Sequence, residues 1–273
     1  MTRADEKTRW DPAQYHRFER ERAQPFHDLV ARIPGGTVRR VADLGCGTGE
    51  LTRSLLTRWP GAEVVGVDSS ETMLERARSR AASHAASILP PARLCFVHAD
   101  LRTWEPPAPL DRIVSNAALQ WVSDHDALLA RLVGFLAPGG ALAVQMPHND
   151  ESPTHEILRA LWRDARFAPQ LGEAPVARRV AESSWYGERL LDLGCDADVW
   201  ETVYLHRMEN AAGIVEWVKG TALRPVLSRL DTAASEAFLA AYTERVRDAY
   251  PSGPHGTWFP FRRLFFVATR RGN

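Results

Sequence analysis

VADLGCGTGE, residues 41–50, sets three glycines (Gly45, Gly47, Gly49) directly behind a short apolar run, and part of it returns as LLDLGCDADV at residues 190–199. The residues after the shared Asp-Leu-Gly-Cys separate the two. After the first comes ELTRSLLTRW (50–59), where Leu51, Leu55, Leu56 and Trp59 recur at helical spacing. Glycines in a strand-to-helix turn lack the Cβ atoms that would hold a ligand away from the backbone. After the second, a lone Gly194 stands between a helix end and the strand-like DADVWETVYLHRM (196–208), the usual place of a helix-terminating glycine. One nucleotide-type site is expected, at the first stretch.

Outward from that turn, strand and helix signals alternate. VRRVADL (38–44) leads into it as a buried parallel strand, and EVVGVD (63–68) is a second. Ser70 caps a helix through Met73, Leu74 and Ala77. RLCFVHAD (93–100) and LDRIVSN (110–116) are strands three and four. Ser123 and Asp126 form a capping-box pattern before a helix whose inner face is Leu128, Leu129, Leu132, Val133 and Leu136, stopped by Pro138-Gly139-Gly140. ALAVQMP (141–147) is strand five. Five such alternations mean an α/β fold with a doubly wound, Rossmann-like sheet that binds ligands at the carboxyl ends of its strands. Beyond residue 148 the rhythm breaks into helices, the strand at 196–208, helices over 211–249, and a last strand RLFFVATR (263–270).

Composition narrows the functional class. Lys+Arg and Asp+Glu are both 34, which gives no electrostatic reason to expect nucleic acid or an anionic membrane as partner. No apolar run reaches the roughly 18–20 residues of a membrane helix, and the charged N-terminus lacks a signal-peptide core, so a cytoplasmic protein is expected. Cys46, Cys95 and Cys195 form no Cys-x-x-Cys pair, which suggests neither a disulfide framework nor zinc. His148 and His155, seven apart around Pro153, read as a polar loop rather than a metal site.

The turn could serve a dinucleotide or S-adenosylmethionine. A diphosphate wants a third glycine at the sixth motif position, where Glu50 stands, and Asp43 adds a second carboxylate. Those charges suit a sulfonium and an α-ammonium group better. Asp68, 19 residues after Gly49, can accept from ribose hydroxyls, though a strand-ending Asp before Ser-Ser is also an ordinary turn.

The series VADLGCGTG, VVGVDSS, HADLRTW, SNAALQW and LAPGGALAV, spanning roughly 38–146, resembles class I S-adenosylmethionine-dependent methyltransferases. The resemblance implies a seven-stranded sheet with its last strand antiparallel. It also implies that Asp43 and the Gly45–Gly49 turn hold the methionine end, Asp68 with Ser69 the ribose, and Asp100 with Leu101 the adenine, while Asn116-Ala117 closes the pocket. S-adenosylhomocysteine would be the product.

A closer resemblance covers nearly the whole chain. Trp10-Asp11-Pro12-x-x-Tyr15, Glu21-Arg22-x-x-Pro25, AALQWVSDH (117–125), VQMPHN (144–149), PTH (153–155), GCDADVWETVYLHRM (194–208), EWVKGTALRP (216–225) and FRRLFFVA (261–268) are similar to trans-aconitate 2-methyltransferases. This implies methylation of a carboxylate of a small unsaturated tricarboxylic acid. A trianion needs guanidinium groups that grip carboxylates bidentately, and the matching segments supply Arg22, Arg224 and Arg263. Tyr15, His148 and Tyr186 are further substrate candidates, and Gln120-Trp121 fall where the family's active site opens.

An ionised carboxylate needs no general base, so the absence of a Ser/His/Asp or Cys/His arrangement is expected. The chain departs from the family at Gln24 and His148, and in a longer connection over 79–91. Three other readings stay open: another acid such as a malonyl thioester on a carrier protein, a non-catalytic methyl-donor-binding protein, and a nicotinamide oxidoreductase. The expected organisation is a helical lid segment at 1–35, a cofactor-binding core at 36–148, and 149–273 completing the sheet (196–206, 263–270) with cap insertions at 149–182 and 207–258.

Overall fold

The computed structural model describes residues 19–84, 93–174 and 180–272. Tyr15, the rest of the Trp10–Tyr15 motif, the whole first half of the lid segment and much of the 79–91 connection lie outside the described residues, as does the side chain of Arg22.

Seven strands form one sheet: β1 Arg40–Leu44, β2 Glu63–Asp68, β3 Leu94–His98, β4 Leu110–Asn116, β5 Leu136–Pro147, β6 Cys195–Met208 and β7 Thr257–Arg270. Their order is β3-β2-β1-β4-β5-β7-β6. Strands β1 to β5 pair parallel, and β7 enters antiparallel beside β5. The chain runs outward from β1 through β2 to β3, then returns to lay β4 against the other side of β1. That reversal makes the carboxyl ends of β1 and β4 the topological switch point, where an open α/β sheet leaves a crevice.

Among the described residues the helices are α1 Glu19–Arg32, α2 Glu50–Arg58, α3 Glu71–His84, α4 His125–Gly134, α5 Pro153–Trp162, α6 Ala168–Leu171, α7 Ser183–Asp192, α8 Ala211–Lys219, α9 Arg224–Leu227 and α10 Thr232–Ala249. None of them is long and apolar enough to cross a membrane.

Two boundaries differ from the expectation. The cap of α4 is Asp124, not Ser123: its carboxylate accepts from the Ala127 amide at 3.1 Å, worth about 1 kcal/mol. Asp124 sits at φ 60°, a left-handed backbone that the sequence pattern does not announce. Leu136 belongs to β5 rather than α4, because its pairing with Leu110 carries the strand back through Pro138-Gly139-Gly140. A register shift between Leu110 and Arg112 absorbs the irregular stretch.

The chain divides into two compact units. One consists of Ala23–Pro147, Arg178–Thr202 and Arg263–Asn273. Its core joins Leu44, Val67, Ile113, Leu129, Leu132, Val144, Met146, Leu264 and Phe266. The other is built from His148–Ala177 and Val203–Arg262. Its core is aromatic: Trp162, Phe167, Trp217, Phe238, Tyr242 and Phe259. There α5 and α8 pack against α10, and the Tyr242 hydroxyl donates to the Thr154 carbonyl at 3.0 Å. Gly194, at φ 77°, ends the short loop between α7 and β6 in the left-handed backbone that only glycine adopts without strain.

Candidate active site

The turn after β1 is wired to β2. The Gly45 and Cys46 amides both donate to the Val67 carbonyl (2.8 and 3.1 Å), the Gly47 amide donates to Asp68 Oδ2 (2.8 Å), and the Gly49 amide donates to the Cys46 carbonyl (3.0 Å). Gly45, Gly47 and Gly49 all have positive φ. A Cβ on Gly49 would strike the Phe96 ring at 2.5 Å, and one on Gly45 would collide with Ala118. At Gly47 a Cβ would meet nothing within 4 Å, so this glycine borders open space. The turn thus abuts the segment after β4 on one flank and leaves the Gly47 flank for a ligand.

Asp68 has a double role. Its Oδ1 accepts from the Ser70 amide at 2.9 Å while Oδ2 holds Gly47, so the carboxylate ties the turn to the start of α3. A carboxylate offers about four acceptor positions, which leaves two for ribose hydroxyls. Ser69 is exposed, and its carbonyl faces His98 Nε2 at 3.0 Å.

The structure corrects the charge expected at this turn. Asp43 is buried and accepts from the Thr52 hydroxyl at 2.5 Å. Burial pushes its carboxyl up to about 7, with the nearby Asp68 charge adding and the Thr52 bond opposing, so it carries only part of a charge at neutral pH. Glu50 is paired with Arg80 at 2.8 Å. Neither group presents a bare charge to a ligand. A diphosphate is disfavoured instead by the commitment of the turn amides: four of the five from Gly45 to Gly49 already donate to protein oxygens.

After β3, Asp100 is gripped by its neighbour. The Arg102 guanidinium holds both carboxylate oxygens, the Arg102 amide donates to Oδ1 at 2.9 Å, and together they lower the carboxyl to about 2. Adenine at this position would share an occupied carboxylate. Leu101 is half-buried against the core, with its carbonyl accepting from Arg131 Nη1 at 3.1 Å.

After β4 the backbone is strained. Ala117 has φ 53°, which costs a non-glycine residue about 1 kcal/mol or more. Its amide donates to the Gln145 carbonyl (2.9 Å) and its carbonyl accepts from Gln120 Nε2 (2.7 Å). Gln120 therefore holds the bend in place, with its Oε1 buried and without a partner. Asn116 Oδ1 is likewise buried and unpartnered. The Ser115 hydroxyl donates to the Leu44 carbonyl at 2.8 Å, which clamps β4 to the start of the glycine turn. Trp121 is 57% exposed beside this segment.

The substrate candidates are scattered more widely. Arg263, only 4% exposed, donates through Nη1 to Gln145 Oε1 at 3.1 Å. His148 extends the β5 pairing, its amide donating to the Arg262 carbonyl at 3.0 Å. Arg224 opens α9 and is half-buried. Tyr186, expected as a substrate contact, packs in the core: it is fully buried, stacks on Phe266 with centroids 5.4 Å apart, and meets His125 Nδ1 at 2.5 Å through its hydroxyl. A large ring so placed is more valuable as packing, and burial pushes its phenol above the usual range.

Gln145, the partner of Arg263, is not among the residues the sequence pattern singles out. The signal was a polar side chain inside the apolar run ALAVQMP, in a strand expected to be covered on both faces.

Similarity to known proteins agrees with this geometry. Residues 41–140 match the model of a methyltransferase domain family. A trans-aconitate 2-methyltransferase of Streptomyces avermitilis is 48% identical over 95% of this chain and 96% of that protein, and one of Rhizobium meliloti 44% identical over 96% and 98%. Among solved structures, the YcgJ protein of Bacillus superposes with a TM-score of 0.58 at 14% identity, covering 91% of this chain and 100% of that one. Phosphoethanolamine N-methyltransferase 2 of Haemonchus contortus, solved with S-adenosyl-L-methionine, gives 0.54 at 20% identity, covering 91% and 52%. These structural likenesses speak for the fold alone. With strand order, glycine turn and near full-length identity in agreement, the chain belongs to the trans-aconitate 2-methyltransferases, a family of class I S-adenosylmethionine-dependent methyltransferases.

Proposed function

We propose that this protein methylates a carboxylate of trans-aconitate, in the cytosol, to give a monomethyl ester. The observation that carries the reading is the extent of the identity. It covers 95% of the chain, and so includes the His148–Ala177 and Val203–Arg262 segments as well as the nucleotide-binding sheet.

The residues fit S-adenosylmethionine, which when bound supplies a methyl group already activated by a sulfonium and a neutral thioether as leaving group. Gly47 clears the approach, and Asp68 has acceptor positions left for the ribose. The unpartnered Asn116 Oδ1 next to the turn suits an α-ammonium group. We assign Asp100 and Leu101 to the adenine and the bend at Ala117, held by Gln120, to shaping the pocket floor.

On the substrate side a carboxylic acid is ionised at neutral pH and already presents a nucleophilic oxygen, so no general base is required. The chain has to hold that oxygen in line with the methyl carbon and strip it of water. A buried guanidinium such as Arg263 can hold a non-reacting carboxylate in a bidentate grip without consuming the nucleophile. Arg22, Arg224 and His148 are proposed as further contacts on the strength of the family resemblance, and Trp121 as a cover against water.

The test is release of S-adenosylhomocysteine across a panel of acids. Trans-aconitate is expected to support turnover and a malonyl thioester on a carrier protein is not; the reverse order would reject the assignment.

A further inference from the structure

Resting on the assignment of Asp100 and Leu101 to the adenine, we propose that Arg131 is a positioning residue for the cofactor: it fixes the backbone of the loop after β3 in the form that recognises the base. Arg131 stands on α4, thirty residues after Leu101. Its Nη1 donates to the Leu101 carbonyl at 3.1 Å and to the Arg102 carbonyl at 2.9 Å, and its Nη2 donates to the Trp104 carbonyl. Both hydrogens of Nη1 are thereby committed, and three carbonyls of one short stretch converge on one guanidinium.

The bonds inside the loop close on Asp100. The Thr103 and Trp104 amides turn back to the Asp100 carbonyl at 2.9 and 2.8 Å, which makes a single tight turn. The carbonyls of Leu101, Arg102 and Trp104 are the ones that Arg131 takes. Leu101 and Trp104 pack half-buried against the core, where a carbonyl deprived of its donor is costly. Arg131 itself is held firmly. Leu128 and Leu132, on either side of it in α4, belong to that core, and its guanidinium lies over the Phe135 ring at 4.9 Å.

Arg131 reaches the recognition group through a second arginine. The Arg102 side chain and amide grip the Asp100 carboxylate, while the Arg102 carbonyl is anchored by Arg131. The direction in which Asp100 points therefore depends on a main chain that α4 holds. An ordinary surface ion pair does not account for the residue, since Glu105 lies 3.7 Å away and is exposed. Lysine would carry the same charge but donates from one point, whereas the planar fork spreads donors over two nitrogens and spans several carbonyls.

The choice of probe follows from Asp100 being an acceptor. A carboxylate accepts from the 6-amino group of adenine and gains nothing from the 6-oxo group of hypoxanthine. The experiment titrates S-adenosylhomocysteine and S-inosylhomocysteine, which differ in that group, into the wild type, Arg131→Met and Arg131→Lys. The wild type is expected to prefer the adenine ligand. In Arg131→Met the preference should fall by roughly 10-fold, the size of one misplaced hydrogen bond to a charged acceptor, because S-adenosylhomocysteine weakens while S-inosylhomocysteine changes little. Arg131→Lys should recover part of the preference, and it decides the matter should Arg131→Met fail to fold. A purely structural role would weaken both ligands alike. If a folded variant keeps the full wild-type preference, Arg131 serves the fold and the proposal is overturned, whatever the change in melting temperature. Wild-type protein with no preference between the two bases would instead reject the assignment of Asp100 and Leu101 to the adenine, and the proposal with it.

Discussion

Asp68→Ala weakens S-adenosylmethionine binding by about a thousandfold, near 4 kcal/mol, when measured by titration calorimetry. Two losses add up to this figure. The ribose loses its carboxylate acceptor, and hydrogen bonds to a charged group are each worth about 1.5–3 kcal/mol. The turn also loses its tie, because the Gly47 amide at 2.8 Å and the Ser70 amide at 2.9 Å are both left without an acceptor. Asp68→Asn separates the two effects. Its amide oxygen can keep one backbone bond, but its NH₂ must then face the other backbone donor, so an intermediate loss is expected. Near-normal affinity in Asp68→Ala would mean that Asp68 is only the turn residue that a strand-ending Asp before Ser-Ser so often is.

Arg263→Leu raises the KM for trans-aconitate at least about a hundredfold, with cofactor affinity unchanged. The size comes from burial: at 4% exposure the guanidinium has little water to compete with, so a carboxylate bound to it gains more than it would at a surface arginine. Stability should fall as well, because the buried Gln145 Oε1 loses its donor and removing one partner of a buried polar contact is costly. A KM effect far larger than the change in kcat, with S-adenosylmethionine affinity unchanged, is therefore the signature of a substrate role. Arg263→Lys keeps the charge but loses the planar fork and should fall between. Arg22→Ala and Arg224→Ala are expected to move KM in the same direction. If Arg263→Leu leaves KM where it was and lowers stability, the buried arginine serves the fold only.

Much of the architecture could be read from local pattern. β2 and β4 fall where their apolar runs place them, and the contrast between the Gly45–Gly49 turn and the lone Gly194 depends only on the residues next along the chain from each. The errors share a cause in long-range or non-standard geometry. Asp124 caps α4 from a left-handed backbone, and β5 reaches back through Pro138-Gly139-Gly140 because a partner strand is there to receive it. Glu50 reads in the sequence as a carboxylate that would repel a diphosphate, but folding sets Arg80, thirty residues away, against it. The surroundings of Tyr186 are set by Phe266 and His125, both distant in sequence and invisible to local pattern. Gln145 stands out as a polar residue in an apolar strand, but its partner, Arg263, lies 118 residues later.

The destination of the methyl group is the central claim, and its fate can be tracked directly. With a carbon-labelled methyl donor and trans-aconitate, the label should pass into an organic-extractable product and return as methanol on mild base treatment, one for each S-adenosylhomocysteine formed. Label that survives base in the product, or donor consumption that no carboxylic acid stimulates, would contradict it.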